Sequence, residues 1–289
     1  MYRRWFNRIP KEDNTYRICI IFVMLFFNVL IVAQTRRALV IGIGEQKDKN
    51  WGKINGDKDI PYVHHMLSDV GYKHIRTLIN SQATKYRIVS AFKDLTTQCN
   101  LGDIVYIHFS GHGQLVTDVN GDEADGWDES WIPYDAYKKY CKEDKGEKHL
   151  VDDEINVLLS AIKSKIGGQG KLLVVVDACH SGDSSRGDED EVIRGVKDEF
   201  VIPIKKKGKT VKAPERWITL SACKDFQLNQ EMKTPKVGKL TYALYMTAQK
   251  GRVSLTEIDS MMSAYRGRLP QTPVLTGEIN KYNISDFLR

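Results

Sequence analysis

The chain has 289 residues, of which 42% are hydrophobic and 28% are charged, and 43 Lys and Arg oppose 37 Asp and Glu. This composition is that of a globular protein with room for one large domain or two small ones. The net charge of +6 is concentrated in the first 17 residues and in a lysine cluster near residue 205, without a basic stripe interleaved with aromatic residues, so it does not indicate nucleic-acid binding.

The first 33 residues have the pattern of an export signal. A polar, basic segment of 17 residues precedes an almost wholly apolar run, residues 18–32, and Ala33 follows with Ile31 two positions before it. This is the layout of a secretory signal peptide that is cut after Ala33. The apolar run is short for a membrane span, which needs about 20 residues, but an uncleaved membrane anchor through residues 18–33 stays open. Either alternative predicts a secreted, periplasmic or cell-envelope protein.

Apolar runs and helical periodicities alternate along the rest of the chain. Unbroken runs rich in β-branched residues predict buried strands, and apolar residues at helical spacing predict helices. The predicted strands are 36–43, 73–79, 104–109, 172–176, 216–221 and 271–276, and the predicted helices are 60–70, 84–98, 154–165, 240–249 and 255–265. This alternation predicts an α/β sandwich with a mostly parallel sheet of about six strands and helices on both faces.

One cysteine lies where chemistry is expected in such a fold. The apolar run Leu172–Val176 ends on Asp177, and Cys179 follows two residues later. The carboxyl ends of the strands form the edge of an open α/β sheet at which ligands bind. A single Cys is more often a buried structural residue, but the small, polar residues 180–182 argue against burial here. Cys179 is therefore a candidate nucleophile, whereas Cys223 has no His-bearing motif of its own.

A histidine follows another buried strand in the same way. The run Ile104–Phe109 leads into Ser110-Gly-His-Gly113, so His112 is expected at the same edge of the sheet as Cys179. An imidazole can take the proton of a thiol or stabilise the thiolate, and can then protonate a leaving amine. Such a pair is suited to nucleophilic catalysis through a covalent intermediate on Cys179, with the backbone N–H groups of Gly113 and Cys179 as candidate oxyanion donors. His108, inside the strand, is predicted to be a hydrogen-bonded core residue.

An acidic loop and a charged segment complete the pattern. Residues 118–129 carry many carboxylates on a Gly-containing loop, which suits Ca²⁺, although the EF-hand register fails at Glu123, where Gly is needed. A solvated acidic loop is the alternative. Residues 186–212 are charged and weakly patterned, which predicts an exposed linker between a larger region, 34–185, and a smaller one, 213–289.

The two motifs together resemble those of metacaspases and other caspase-like peptidases. Ser110-Gly-His-Gly113 and Asp177-Ala-Cys-His-Ser-Gly182 stand in the family order, each at a strand end. Caspases carry Gln-Ala-Cys with the His about 50 residues upstream, so the Asp and the longer spacing found here are similar to metacaspases. The resemblance covers about residues 36–276. It implies a caspase-like three-layer sandwich and a cysteine endopeptidase.

The resemblance also implies a substrate pocket. Aligning Gly56-x-x-Asp59 with the family pattern assigns Asp59 to the pocket for the basic side chain that precedes the scissile bond. Helix capping is the alternative for Asp59. Ser110 and Asp177 are expected to shape the same pocket, and Asp225 to add negative potential. Because a buried cation needs a counter-charge, we expect cleavage after Arg or Lys.

Calcium activation and self-cleavage are further implications of the resemblance. The family's calcium ligands match Asp128, Asp152 and Asp153, whereas the fourth position is Arg186, for which Asp183 or Asp188 is a candidate substitute. Self-cleavage in this family follows a Lys or Arg between the large and small parts, so we expect it within residues 186–212.

Two other classes of protein stay open. The first is an inactive caspase-like scaffold or binding module, because a fold does not guarantee activity; the intact His112 and Cys179 weigh against it. The second is a redox thiol protein, which needs a resolving Cys near Cys179, and the chain has no Cys-x-x-Cys motif. For the peptidase we expect a monomer whose chemistry itself requires no cofactor.

Overall fold

The computed structural model describes residues 34–179, 192–203, 213–265 and 269–289. Several features predicted from the sequence lie outside these ranges: the export signal in residues 1–33, Asp183, Arg186, Asp188, and two parts of the linker, 186–191 and 204–212. The segment Gln34–Arg289 forms one unit. Within the described ranges, each helix is too short or too polar to cross a bilayer.

Eleven strands and five α-helices are present in the described part of the chain. The strands are β1 (Arg36–Gly42), β2 (His74–Ile79), β3 (Ile104–Ser110), β4 (Gly113–Thr117), β5 (Trp127–Trp131), β6 (Leu150–Val151), β7 (Lys171–Asp177), β8 (Ile218–Ser221), β9 (Glu231–Met232), β10 (Val237–Gly238) and β11 (Val274–Gly277). The helices are α1 (Gly56–Asp69), α2 (Lys85–Gln98), α3 (Asp152–Ile166), α4 (Lys239–Gln249) and α5 (Leu255–Ala264).

Six of the strands form the central sheet in the order β11-β8-β7-β3-β1-β2. All neighbours pair in parallel except β11, which is antiparallel to β8 at the edge. The strand pairs β4–β5 and β5–β6 form a second, three-stranded antiparallel sheet, and β9 pairs with β10. The expectation of a mostly parallel sheet of about six strands is confirmed.

Alternating side chains of the central strands enter two separate cores. In β3, Val105, Ile107 and Phe109 pack in one core with α2 and α3, whereas Tyr106 packs in the other with α1, α4 and α5. Both faces of the sheet are therefore covered by helices. This is the physical reason why the central strands β3 and β7 are almost wholly apolar, since a strand buried on both faces has no polar side.

Helix α1 begins at Gly56, four residues earlier than the periodicity predicts. A Cβ atom at Gly56 would lie 2.5 Å from the carbonyl oxygen of Ile43 and 2.6 Å from that of Ser110, so a glycine allows the helix to start against the ends of β1 and β3. The earlier start places Asp59 in the first turn. Its carboxylate is directed at the sheet edge, and the described residues show no side-chain cap for this helix.

The predicted exposed linker is wrong for its central part. Residues 193–196 and Phe200 are buried, and β-bridges join Ile193 to Gln230, Gly195 to Gly113 and Phe200 to Val116. The prediction of exposure followed from the many charged residues of this stretch and did not take account of the apolar residues between them, Ile193, Val196 and Phe200. Residues 192–196 are called the docked segment below, because they lie against the sheet edge that carries Cys179.

Candidate active site

The register of the central sheet brings the two candidate catalytic residues to one edge. Ser110 at the end of β3 pairs with Asp177 at the end of β7, and the amide of Gly111 donates to the carbonyl of Asp177 at 3.4 Å. His112 and Cys179 each follow two residues after these paired positions. The expected placement of both residues at the carboxyl edge of one sheet is therefore confirmed.

The imidazole of His112 is oriented for proton acceptance through Nδ1. Its Nε2 lies 2.8 Å from the carbonyl oxygen of Gly52, and because a carbonyl only accepts, Nε2 carries the proton. Trp51 packs against the ring with centroids 5.0 Å apart. Burial lowers the pKa of His112 to about 4, so the ring is neutral near pH 7. The buried Nδ1 has no hydrogen-bond partner among the described residues, which leaves its lone pair available.

The expectation that Cys179 escapes burial is wrong, because the residue is 3% exposed. Its thiol does not form a hydrogen bond with Nδ1 of His112. Its Sγ donates to the carbonyl oxygen of Gln227 at 3.0 Å, and Sγ of Cys223 reaches the same oxygen at 3.4 Å. The backbone amide of Cys179 donates to the carbonyl oxygen of Arg194 at 3.0 Å. The nucleophile candidate thus holds the carbonyl of the docked segment with its own N–H group, as an oxyanion donor holds a substrate.

Three buried carboxylates surround the guanidinium of Arg194. Asp59 accepts from Nη1 at 2.6 Å and from Nη2 at 3.0 Å, Glu231 accepts from Nε at 2.8 Å, and Oδ1 of Asp177 lies 3.3 Å from Nη1. All four side chains are almost fully buried. The carboxylates of these three residues, called the acidic pocket below, therefore bind each nitrogen of one arginine fork.

Neutral groups hold the acidic pocket in place. Ser110 Oγ donates to Asp59 at 2.7 Å, and the amide of Gly238 donates to the same carboxylate at 2.9 Å. Asp177 accepts from Asn229 Nδ2 at 2.7 Å and from Thr241 Oγ1 at 2.6 Å. These bonds fix both carboxylates in the orientation that receives a guanidinium.

His108 supports the floor of the acidic pocket. Its Nε2 pairs with Ser110 Oγ at 2.8 Å and its Nδ1 with Tyr106 Oη at 3.1 Å, which confirms the prediction of a hydrogen-bonded core histidine. Burial lowers the pKa of His108 to about 4. The ring is therefore neutral near pH 7 and adds no charge beneath Asp59 and Asp177.

The charge of Arg194 sets the ionisation of the acidic pocket. Burial alone would raise the pKa of Asp177, but Arg194 and hydrogen bonds from Thr241 and Asn229 outweigh burial and hold that pKa below its usual value. Burial raises the pKa of Asp59, which Arg194 opposes. Burial also disfavours the guanidinium, yet the three carboxylates together raise its pKa. Of the three carboxylates, Asp59 contributes most to raising the pKa of Arg194.

The backbone of the docked segment pairs with the strand that contains Glu231. The amide of Arg194 donates to the carbonyl of Asn229, and the amide of Glu231 donates to the carbonyl of Val192, each at 2.9 Å. Ile193 pairs with Gln230 in an antiparallel bridge. An extended peptide that adds a strand in this way is a common mode of peptide recognition, in which backbone bonds give affinity and a side-chain pocket gives specificity.

The sequence predicted part of this site. Asp59, Ser110 and Asp177 come together as expected, and Gly113 faces the residue after Arg194 through its bridge to Gly195. Asp225 is exposed and is not among the carboxylates that contact the guanidinium. Glu231 was not predicted, because it stands in a polar stretch without a motif, and only its pairing with the docked segment reveals it.

The acidic loop between β4 and β5 gathers carboxylates at a second place. Asp118, Asp122 and Asp128 each offer an oxygen within 4.8 Å of the others. Asp128 is 4% exposed, and its Oδ1 has no hydrogen-bond partner within the described ranges. Burial and the charges of Asp152, Asp118, Asp153 and Asp122 raise the pKa of Asp128 to about 7. A hydrogen bond from Asn120 to Asp153 ties the loop to the start of α3.

The fold and the site define a caspase-like α/β sandwich, with a cysteine and a histidine at the carboxyl edge of the sheet beside an acidic pocket. The family model described as metacaspase, peptidase C14 domain, matches residues 36–185. This match includes both motifs and half of the chain. The chain therefore belongs to the metacaspase family.

Curated metacaspases are similar to part of this chain. Metacaspase-2 of Arabidopsis thaliana is 34% identical over 155 residues, which are 51% of this chain and 34% of that protein. Metacaspase-1A of Aspergillus oryzae is 32% identical over 160 residues, which are 51% of this chain and 35% of that protein. The matched part thus spans about a third of the length of these relatives.

Solved structures share the fold at low sequence identity. A protein from Geobacter sulfurreducens aligns with a TM-score of 0.61 and 24% identity, over 84% of this chain and 92% of that one. Caspase-1 from Spodoptera frugiperda aligns with a TM-score of 0.52 and 11% identity, over 84% and 86% of the two chains. Both show the caspase-like architecture that the sequence predicted.

Proposed function

We propose that the protein is a cysteine endopeptidase that cleaves after arginine, with Cys179 as nucleophile and His112 as base. One observation carries this proposal: the side chain of Arg194 fills the acidic pocket while its carbonyl oxygen accepts a hydrogen bond from the amide of Cys179. A peptide bond held in this way has its carbonyl next to the candidate nucleophile. The docked segment therefore has the arrangement expected of a bound substrate.

The reaction follows from the roles of these atoms. Rotation of the Cys179 side chain away from Gln227 lets its thiol reach Nδ1 of His112, which takes the proton. The thiolate attacks the carbonyl carbon of the arginine, and the amide of Cys179, with that of Gly113, stabilises the oxyanion. His112 then protonates the leaving amine, and water hydrolyses the acyl thioester. The low pKa of the buried imidazole keeps it neutral and able to start this cycle.

The acidic pocket favours arginine over lysine. Glu231 binds Nε, whereas Asp59 binds Nη1 and Nη2, so the carboxylates match a planar fork with donors on several sides. A lysine ammonium has no donor at the Nε position, so Glu231 would lose its bond to the substrate side chain and keep only those from Asn55. An aspartate substrate would place a fourth carboxylate there, which like-charge repulsion excludes.

The peptidase proposal is tested with peptides that differ only in the residue before the scissile bond. We expect turnover of Arg peptides above Lys peptides, no turnover of Asp peptides, and a loss of at least about 1,000-fold in the Cys179→Ala variant. Equal turnover of Arg and Asp peptides would contradict the assignment of the acidic pocket. Activity of the Cys179→Ala variant at the wild-type level would contradict the nucleophile.

We further propose that the chain cuts itself between Arg194 and Gly195. The docked segment supports this bond over Lys197, the other basic position of this stretch within the described part of the chain, because Arg194 is buried in the acidic pocket while Lys197 is exposed. Until the bond is cut, Arg194 occupies the place of a substrate arginine, so the uncut chain is expected to be latent. Cutting removes the peptide bond that anchors the segment on both sides of the site.

Intact-mass analysis of purified protein tests the self-cleavage. We expect wild type to give a fragment that begins at Gly195, and the Cys179→Ala and Arg194→Gln variants to remain uncut there. Lys197→Gln is the matched control, because it removes a positive charge from the same segment without touching the acidic pocket, and it should be cut as wild type is. A Gly195 terminus formed equally by the Cys179→Ala variant would contradict self-cleavage.

Calcium activation is proposed from the acidic loop. The donors are oxygens of Asp118, Asp122 and Asp128, with Asp152 and Asp153 nearby, and the buried Oδ1 of Asp128 lacks a partner among the described residues. This donor set fits Ca²⁺, which takes six to eight oxygen ligands. A bound Ca²⁺ would neutralise the repulsion between the loop and the start of α3. Of the residues expected from the family, Asp128, Asp152 and Asp153 are retained here, and Asp118 and Asp122 are added.

Calorimetric titration with CaCl₂ of the uncut Cys179→Ala protein tests the metal site. We expect binding that is abolished by Asp128→Asn and retained by Asp125→Asn, an exposed carboxylate of the same loop. Equal binding by both variants would contradict a site at Asp128. Peptide turnover with and without Ca²⁺ then decides whether binding activates the enzyme.

Residues 1–33 are proposed to direct export of a monomeric enzyme. The support is the sequence pattern alone, a basic segment followed by an apolar run and Ala33. N-terminal sequencing of protein from its native cells should give Gln34 if the signal is cleaved and Met1 if it serves as an anchor. Recovery of the uncleaved chain in the cytosol would contradict export.

A further inference from the structure

Cys179 and Cys223 are distant in sequence, but each lies just after the end of one of two neighbouring strands, β7 and β8. In the parallel pair β7–β8, Val176 is opposite Ser221, and the amide of Ala222 donates to the carbonyl of Val176 at 3.0 Å. Cys179 follows Val176 by three residues and Cys223 follows Ser221 by two. Strands paired in this way lie about 4.8 Å apart, which is within the range that a disulfide can bridge.

The two thiols share one acceptor. Sγ of Cys179 and Sγ of Cys223 lie 3.0 Å and 3.4 Å from the carbonyl oxygen of Gln227, so both sulfur atoms are directed at the same point. They also interact with each other: a hydrogen bond with Cys179, followed by burial, raises the pKa of Cys223. The side chains of Cys179 and Cys223 are therefore in contact at the carboxyl edge of β7 and β8.

The remaining described cysteines are placed elsewhere. Cys99 lies after the end of α2 and is buried in the core formed with α2 and α3, and burial raises the pKa of its thiol to about 11. Cys141 lies in the loop between β5 and β6. No disulfide joins any of the four cysteines in the described part of the chain. The local geometry thus selects one pair, Cys179 with Cys223.

We propose that Cys223 is a resolving cysteine, and that a peroxide converts Cys179 and Cys223 into a reversible disulfide that switches the peptidase off. The thiolate of Cys179 attacks one peroxide oxygen, the O–O bond breaks, and the other oxygen leaves as water after taking a proton, which gives a sulfenic acid. The sulfur of Cys223 attacks the sulfur of this sulfenic acid and forms the S–S bond. The departing hydroxide takes the thiol proton of Cys223 and leaves as water.

This inference rests on the proposed function only for its effect on activity, since the disulfide can form in an inactive chain. The disulfide protects Cys179 from irreversible oxidation, because a sulfenic acid without a resolving thiol proceeds to sulfinic acid. A search for a Cys-x-x-Cys motif misses this resolving cysteine, because Cys223 follows the neighbouring strand β8 and is not close to Cys179 in sequence.

Peptide mapping by mass spectrometry after treatment with hydrogen peroxide tests the disulfide. We expect a linked pair of peptides containing Cys179 and Cys223, a mass about 2 Da below the reduced pair, and its disappearance after treatment with dithiothreitol. The His112→Ala variant, which is expected to be inactive, should still form the link. Failure of both wild type and this variant to form it would overturn the proposal, whatever the peptidase activity.

Recovery of activity separates a resolving cysteine from a bystander. Each variant is compared with its own untreated activity on an Arg peptide. Wild type should lose at least about tenfold and return to within about twofold after reduction, whereas Cys223→Ser should gain about 32 Da at Cys179 and fail to recover. Cys223→Ala serves as a second variant if the serine protein folds poorly, and Cys141→Ser is the matched control that should recover as wild type does. Equal recovery by the Cys223 variants and wild type would overturn the proposal.

Discussion

The guanidinium of Arg194 donates from Nη1 to Oδ2 of Asp59 at 2.6 Å, although the two residues are 135 positions apart in the chain. One partner lies in the first turn of a helix, and the other lies in a charged segment that the sequence predicts to be an exposed linker. Their contact is buried completely. It links the proposed specificity of the enzyme to its proposed self-cleavage, since one pocket receives both the substrate arginine and the chain's own.

Removing the charge of Asp59 should weaken recognition of arginine. In the Asp59→Asn variant we expect kcat/KM for Arg peptides to fall by at least about 30-fold, because truncating one partner of a buried charge pair costs about 2–5 kcal/mol. Asp57→Asn is the matched control, since Asp57 lies in the same helical turn but pairs with Lys58 near the surface. It should stay within about twofold of wild type. A similar loss in both variants would indicate a general disruption of α1.

Glu231 should set the preference for arginine over lysine. Because Glu231 binds Nε, a donor that lysine lacks, Glu231→Gln should lower kcat/KM for Arg peptides by about tenfold and for Lys peptides by less than about threefold. Steady-state kinetics with the two peptides gives the ratio directly. An unchanged ratio would show that Asp59 and Asp177 alone determine the choice.

A methyl group at position 238 should fill the acidic pocket. A Cβ atom there would lie 2.3 Å from Oδ2 of Asp177 and 2.6 Å from Nη1 of Arg194, while the backbone at φ −62° accepts alanine. We expect Gly238→Ala to abolish turnover of Arg peptides and cleavage at Arg194 while the protein stays folded by circular dichroism. Gly168→Ala, which meets no atom within 4 Å, is the control and should be unaffected. Normal turnover by Gly238→Ala would contradict the position of the pocket wall.

The buried neutral histidine His108 should make stability depend on pH. Its pKa is about 4 in the folded protein against 6.5 for an unperturbed histidine, so between these values the unfolded chain binds a proton that the folded chain does not. The free energy of unfolding should therefore fall as the pH decreases from 6.5 to 4, by up to about 3 kcal/mol for this group.

Urea unfolding of the uncut Cys179→Ala protein at several pH values measures this effect. His108→Gln in the same background should show a shallower pH dependence, and the difference between the two proteins isolates the histidine from other titrating groups. His64→Gln is the control, because His64 is exposed on α1. Parallel pH profiles for His108→Gln and its parent would show that the pKa of His108 is the same in the folded and unfolded states.

The central sheet could be predicted because its cause is local. A strand that is covered on both faces is mostly apolar, and the apolar runs of β3 and β7 are visible in the sequence. The motifs at their ends place His112 and Cys179 at the same edge, because parallel neighbours end at the same side of a sheet. Asp59 was assigned through resemblance, and its contact to Arg194 explains physically why an acidic residue stands there.

Other features depend on contacts that local patterns do not contain. The docked segment is rich in charge, so its composition predicts solvent exposure, yet Arg194 is buried because three carboxylates from different elements converge on it. Cys223 approaches Cys179 because β8 follows β7 in the sheet, an order that motif spacing does not report. Asp225, by contrast, stands close to Cys223 in sequence and still lies at the surface.

The sequence by itself determined the α/β class, the strands that carry the candidate dyad and the membership of the metacaspase family, because these follow from apolar periodicity and short motifs. Only the tertiary structure decided which arginine enters the acidic pocket, which third carboxylate binds it and which second thiol meets Cys179. The physical reason is that burial of a charge or pairing of thiols depends on groups from distant parts of the chain, and their positions are set by the order of strands in the sheet.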